Sequence, residues 1–347
     1  MSSPVSGAAR ATPGERAIIE HIRRRLPAPP ASLIVAAGDD AAVMLPERGE
    51  MQIITTDALV EGIHFDRRFS SLADVGYKAI AVNVSDVAAM GGTPSFILLS
   101  LMLPDGTSVE DLDALLDGVL EMAVEARVTI AGGNVTRSPA PLIVDVTALG
   151  HVRPRRVLTR SGGRPGDALY VTGAVGGAAA GLGWLRESAA SLTIGSLREP
   201  SDPAMAAAVL RHRRPQPRLR IGAVLGRARV ASACMDLSDG LADAVRQVAE
   251  ASGTGAILDA SALPIDLAAR SWFTTRQGDP VAAALSGGDD YELLFTVPAR
   301  TSRRLRSVES VAAGVPLTRV GELTRDTTLI VLREERPEPL PQGFTHF

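Results

Sequence analysis

One cysteine, Cys234, and one lysine, Lys78, are all that this 347-residue chain holds of either type. A single thiol excludes an intramolecular disulfide and any cysteine-based metal site. Its apolar, strand-like surroundings predict a buried, inert group. The basic charge is therefore almost all arginine, a skew that reflects genome composition rather than function. No run approaches the roughly 20 apolar residues needed to cross a bilayer. The small, polar start of the chain lacks the apolar core of a signal peptide, so a cytoplasmic location and no membrane partner are expected. A formal charge of −3 gives no electrostatic reason to bind nucleic acid.

Familiar enzyme signatures are missing as well. There is no Gly-x-x-x-x-Gly-Lys-[Ser/Thr] loop, and Lys78 is not in a glycine-rich turn. Nor is there a protein-kinase catalytic loop, a Gly-x-Ser-x-Gly elbow or a His-Glu-x-x-His helix. If the chain binds ATP, metal ions rather than lysine must neutralise the phosphates. A carboxylate and a phosphate 4 Å apart repel by about 4 kcal/mol at an effective dielectric of 20.

What is present is the composition of a globular protein, 46% apolar and 22% charged. Its length exceeds the roughly 250–300 residues of a single comfortable core, which predicts two domains. Residues 1–14 read as a disordered leader. Helical spacing covers 15–26, 73–90 and 108–126, and strand-like runs cover 41–45, 51–56, 96–103, 128–131 and 142–152. The basic, Gly/Pro-containing stretch 153–167 separates this α/β half, residues 15–152, from residues 153–347. Strands are expected there at 168–171, 230–235, 256–258, 291–297, 318–323 and 328–332, with helices from 177, near 203–211 and 217–228, and at 241–252 and 301–313. Interleaved strands and helices in both halves predict a mixed α/β or α+β fold rather than an all-helical or all-β one.

Five apolar runs end in carboxylates flanked by Gly, Ser or Thr: Asp39-Asp40, Thr55-Thr56-Asp57, Ser85-Asp86, Asp236-Leu237-Ser238-Asp239 and Gly288-Asp289-Asp290. One such corner is an ordinary cap or Asx-turn. Five together suggest an oxygen-lined site for hard cations, and Mg²⁺ shares its oxygen ligands between carboxylates and substrate phosphates. Asp86 is the most telling, because it lies within the apolar helical run 79–90, where a carboxylate needs a partner. His64, taken alone, reads as a structural histidine.

The motifs GDDAAV (38–43), TDALVEGIHF (56–65), YKAIAVNVSDVAAMG (77–91), LTRSG (158–162), MDLSDGLAD (235–243) and LSGGDDYELLF (285–295) resemble, in type and order, the thiamine-monophosphate kinase family. That family lies in the wider aminoimidazole ribonucleotide synthetase-like superfamily. The resemblance implies a two-domain fold, an α/β N-terminal domain followed by an α+β C-terminal domain, whose N-terminal sheet pairs with that of a second subunit in a homodimer. It also implies ATP-dependent phosphorylation of thiamine monophosphate, with several Mg²⁺ ions. Carried over, the Mg²⁺ ligands are Asp40, Thr55, Thr56, Asp57, Asp86, Asp236 and Asp239. ATP contacts come from Gly133, Asn134, Arg160 and Ser238, and the thiamine monophosphate side from His64, Asp289 and Phe344.

Two positions depart from the family pattern: Asn134 stands where an aspartate is frequent, and Asp289 where a glutamate is common. No acid/base residue is assigned, because phosphoryl transfer depends mainly on positioning and charge neutralisation. The alternatives are another ATP-using enzyme of the same superfamily, or a nucleotide-binding homologue impaired at Asn134.

Overall fold

The protein is described here from a computed structural model that covers residues 14–189 and 199–344. The expected leader lies outside the described residues except for Gly14. The N-terminal half runs α1 (Glu15–Arg25), β1 (Leu33–Val35), β2 (Val43–Met44), β3 (Met51–Val60), α2 (Leu72–Ala89), β4 (Thr93–Pro104), α3 (Val109–Ala126), β5 (Thr129–Ser138) and β6 (Ile143–Val152). Strands β3–β6 form a four-stranded sheet in the order β3-β6-β4-β5, antiparallel except for the β4–β5 pair that α3 connects. Alternate residues such as Leu99, Leu101, Val144 and Val146 bury one face of the sheet beneath α2 and α3. The other face is half-exposed and is covered at one end by the β1–β2 hairpin through Leu33, Phe96 and Ala131.

The C-terminal half runs β7 (Ala168–Thr172), α4 (Gly177–Ala189), α5 (Pro203–Arg213), α6 (Leu219–Ala228), β8 (Ala233–Asp236), α7 (Leu241–Ser252) and β9 (Gly255–Asp259). It continues with α8 (Leu267–Thr275), α9 (Pro280–Ser286), β10 (Leu293–Val297), α10 (Leu305–Glu309), β11 (Leu317–Thr324), β12 (Leu329–Arg333) and β13 (Arg336–Pro339). Its seven strands form one sheet in the order β13-β12-β9-β11-β7-β10-β8. Among the described residues no helix is long and apolar enough to cross a membrane.

Several elements differ from the pattern read in the sequence. Strand β5 does not stop at Ala131 but runs through Gly132-Gly133 to Ser138, because β4 pairs with it along that whole length. Register with a neighbour overrides the weak strand propensity of glycine. The expected helix 301–313 is instead a 3₁₀ segment, Ala299–Arg304, and the short α10. Strands β1 and β13 and helices α8 and α9 have no counterpart in the expected outline.

Helix α2 starts at a Ser71/Asp74 capping box and is buried along nearly its whole length. It lies between the first sheet and the second half, touching α6 and β8. A helix apolar on all sides is stable only when enclosed in this way. It crosses α3 at two glycines: a Cβ on Gly118 would stand 1.8 Å from the Ala73 carbonyl oxygen, and one on Gly76 2.0 Å from that of Leu115. We expect Gly118→Ala to force the helices apart and to cost about 1–3 kcal/mol. The result would be a lower urea midpoint at unchanged slope; an unmoved midpoint would show that the crossing can relax freely.

Candidate active site

The polar side chains in the second half of α2 reach two elements, β3 and β8. On the side facing β3, the Asp86 carboxylate accepts a hydrogen bond from Thr55 Oγ1 at 2.5 Å. On the same side, Asn83 Oδ1 accepts the backbone N–H of Asp57 at 3.0 Å. On the side facing the C-terminal half, Ser85 Oγ donates to Asp236 Oδ2 at 2.6 Å. Strand alternation turns Thr55 and Asp57 toward α2 and Thr56 away from it. The Thr56 hydroxyl bonds Asp145 Oδ1 at 3.2 Å and the Val146 carbonyl at 3.0 Å on the opposite face.

Asp57, Asp86 and Asp236 thus meet at the end of β3, the last turns of α2 and the end of β8, with Asp239 in the turn that enters α7. Their electrostatics show a shortage of positive charge. Burial, then the charges of Asp86 and Asp57, raise the Asp236 carboxyl to about 7 against the opposing Ser85 hydrogen bond. Asp57 opens to solvent at the mouth of the cluster. Even so, partial loss of water and the charges of Asp86, Asp239 and Asp145 raise it to about 6. Asp86 is raised by burial, against the Thr55 hydrogen bond and the charge of Arg160.

Carboxylates packed so closely either hold protons or require cations. Among the described residues no three His, Cys, Asp or Glu side chains close a metal cage on their own. An open set of carboxylate and hydroxyl oxygens suits Mg²⁺, which keeps positions for water and phosphate.

The other expected residues divide into those near this cluster and those away from it. Arg160 is held by Gln247, and its charge acts on both Asp86 and Asp236. The Ser238 carbonyl accepts the Asp289 N–H at 2.7 Å, and the Phe344 N–H donates to the Asp239 carbonyl at 3.1 Å. The chain end is thereby pinned beside the acidic turn, with the Phe344 side chain 52% exposed. His64 Nδ1 accepts the Val60 N–H at 3.1 Å and so closes its own turn, which is the structural role read for it in isolation.

Asp289 pairs with Lys78 at 2.8 Å. Burial would raise its carboxyl, but the charge of Lys78 and the nearby His212 hold it well below the usual range. Asp40 is exposed between β1 and β2, and no contact among the described residues ties it to the cluster. Gly133 and Asn134 are exposed in mid-β5, where Asn134 is in register with Ser100 and, across β4, with Asp145. Asn134 therefore lies in mid-strand, on the face opposite Asp57 and Asp86.

Sequence reading missed Lys78, Asn83, Ser85, Asp145, His212 and Gln247 as parts of this site. For Lys78, Asn83 and Ser85 a signal existed, since Asn83 and Ser85 are polar residues within the same apolar run as Asp86 and Lys78 directly precedes that run. His212 and Gln247 left none.

The chain matches the sequence profile described as AIR synthase related protein, N-terminal domain, over residues 38–152, and that of the C-terminal domain over residues 164–332. It is similar to the thiamine-monophosphate kinase of Bacillus subtilis (strain 168), at 33% identity over 321 residues, 91% of this chain and 94% of that one. Among solved structures it resembles the thiamine-monophosphate kinase of Stenotrophomonas maltophilia K279a, with a TM-score of 0.78 at 33% identity, covering 91% of this chain and 94% of that one. It also resembles AaThiL complexed with AMPPCP and TMP, with a TM-score of 0.75 at 30% identity, covering 87% and 89%.

The Asp236 shift has a consequence for stability. Between about pH 4, where an unfolded carboxyl ionises, and about pH 7, the folded chain keeps a proton that the unfolded chain has lost. Stability contributed at this residue therefore falls as pH rises through that window. We expect metal-free Asp236→Asn to be more stable than the parent at pH 8, by about 2 kcal/mol, and equal to it near pH 4. Urea melts in a chelator check this, and parity at pH 8 would contradict it.

Proposed function

The chain belongs to the thiamine-monophosphate kinase family of AIR synthase related proteins, and on that premise we propose that it transfers the γ-phosphoryl group of ATP to thiamine monophosphate. The products are thiamine diphosphate and ADP. The observation that carries this reading is the convergence of Asp57, Asp86 and Asp236, underneutralised and partly open, beside Arg160. Thr55, Asp57, Asp86, Asp236 and Asp239 would hold Mg²⁺, which when bound supplies the positive charge that lets donor and acceptor phosphates approach.

The chain's own residues orient the reactants. Arg160, steadied by Gln247, adds fixed positive charge on the nucleotide side, where Ser238 also lies. Asp289 and Phe344 face the thiamine end of the acceptor. That acceptor is a phosphate monoester, largely ionised at neutral pH, so its attack needs no strong base and none is assigned. His64 shapes the turn on that side. Asn134 stands apart from the buried carboxylates, so its neutral amide leaves their charge intact, which supports an active enzyme over an impaired one. The resemblance alone assigns Asn134 and Gly133 to ATP, and Asp40 and Thr56 to Mg²⁺; the Thr56 hydroxyl bonds Asp145 and the Val146 carbonyl on the far face of the sheet.

A homodimer, a cytoplasmic location and a domain division within 153–167 complete the proposal. The dimer is supported by the edge position of β3, which exposes Met51 (50%) and Ile54 (68%). A long apolar edge strand invites pairing with a second chain.

Purified protein given Mg-ATP and thiamine monophosphate should form thiamine diphosphate and ADP in equal amounts. Asp86→Asn should remove turnover by at least about 100-fold while the folded state persists by circular dichroism. ATP hydrolysis without thiamine diphosphate would overturn the assignment. Phe344→Ala should raise KM for thiamine monophosphate about 3- to 30-fold, the value of one ring stacked on a cationic thiazolium, and leave KM for ATP within twofold. Equal changes in both constants would remove Phe344 from the acceptor side.

A further inference from the structure

Lys78 has no place in the donor set above, yet it is the most enclosed cation beside it. Its side chain is 3% exposed, and Nζ lies 2.8 Å from Asp289 Oδ2 and 3.4 Å from the His64 carbonyl. His212, buried at the end of α5, places Nδ1 3.1 Å from the same Asp289 oxygen. Both groups crowd one carboxylate oxygen, and the Asp289 side chain remains 29% exposed.

The loop that carries it is strained. Asp289 and Tyr291 adopt φ of 68° and 49°, values that non-glycine residues rarely take. The loop stays in place because their N–H groups bond the Ser238 and Leu237 carbonyls and the Tyr291 ring is buried in the N-terminal core. Strain maintained in this way accompanies functional placement. A tie that merely joined the two halves would not need it.

We propose that Lys78 is a positioning residue for the acceptor. Reaching across from α2, it fixes one oxygen of Asp289 so that the solvent-facing remainder of the carboxylate is aimed at the cationic, amine-bearing heteroaromatic end of the substrate. The proposal rests on the thiamine monophosphate reading above. Lys78 and Ser85 are seven residues apart, on one side of α2 and about 10 Å along its axis. Each grips an aspartate of the C-terminal half, so the helix sets the distance between the acceptor's ring end at Asp289 and its phosphate end near Asp236.

The test compares Lys78→Met, Lys78→Arg, Asp289→Asn and the double variant Lys78→Met/Asp289→Asn by steady-state kinetics in both substrates. Lys78→Met should raise KM for thiamine monophosphate at least about tenfold with KM for ATP within twofold, and Lys78→Arg should recover part of the loss. The double variant should be no worse than Asp289→Asn alone, because both changes break one contact. Equal effects on both substrates, no effect, or losses that multiply in the double variant would overturn the proposal.

If Lys78→Met alone does not fold, the double variant leaves no unpaired buried charge, and its comparison with Asp289→Asn decides the matter. Wild-type protein that makes no thiamine diphosphate would overturn the underlying reading. An active wild type with an unsplit response would overturn the positioning role alone.

Discussion

Helix α2 is enclosed by the first sheet, α3, α6 and β8, so none of its inward polar groups can rely on bulk water. A buried polar group without a partner costs more than most single contacts contribute. Each one has therefore recruited a partner from outside the helix, on β3 or in the C-terminal half. Asp86 takes Thr55, Asn83 takes the Asp57 backbone, Ser85 takes Asp236 and Lys78 takes Asp289. The site's geometry follows from satisfying one helix, and the two halves are brought together at the points where that helix demands oxygen atoms.

The carboxylates recruited in this way fall into two electrostatic kinds. Asp289 has a lysine beside it and stays ionised at any ordinary pH. Asp57, Asp86 and Asp236 have mainly each other, and their carboxyls are pushed upward. Environment alone separates them, as it does wherever like side chains carry unlike roles. The first kind suits a permanent partner for a cationic ligand. The second suits groups that give up protons more readily when cations arrive.

Much of this was legible in the sequence, for identifiable reasons. Asp86 stood out because it interrupts an apolar helical run, and that reasoning applies equally to Lys78, Asn83 and Ser85. Helix α2 itself was plain from its period. Other features depend on pairing that no local pattern encodes. The course of β5 through Gly132-Gly133 is set by β4, and the face on which Asn134 and Thr56 lie is set by strand register. His212 and Gln247 reach the site only through the packing of α5 and α7. For α9, Asp279 and Pro280 form a cap and first turn that could have been read.

The regular rise and turn of α2 also bear on how this chain can vary over evolutionary time. Substitutions along the helix can be offset locally, but a single inserted or deleted residue between Lys78 and Ser85 cannot. It would rotate one end by about 100° and slide it by 1.5 Å, separating Lys78 from Asp289 or Ser85 from Asp236. Loops elsewhere can lengthen at little cost. Descendants of this protein are thus freer to change the size of their surface turns and the apolar side chains of this helix, while the number of residues from Lys78 to Asp86 stays constant.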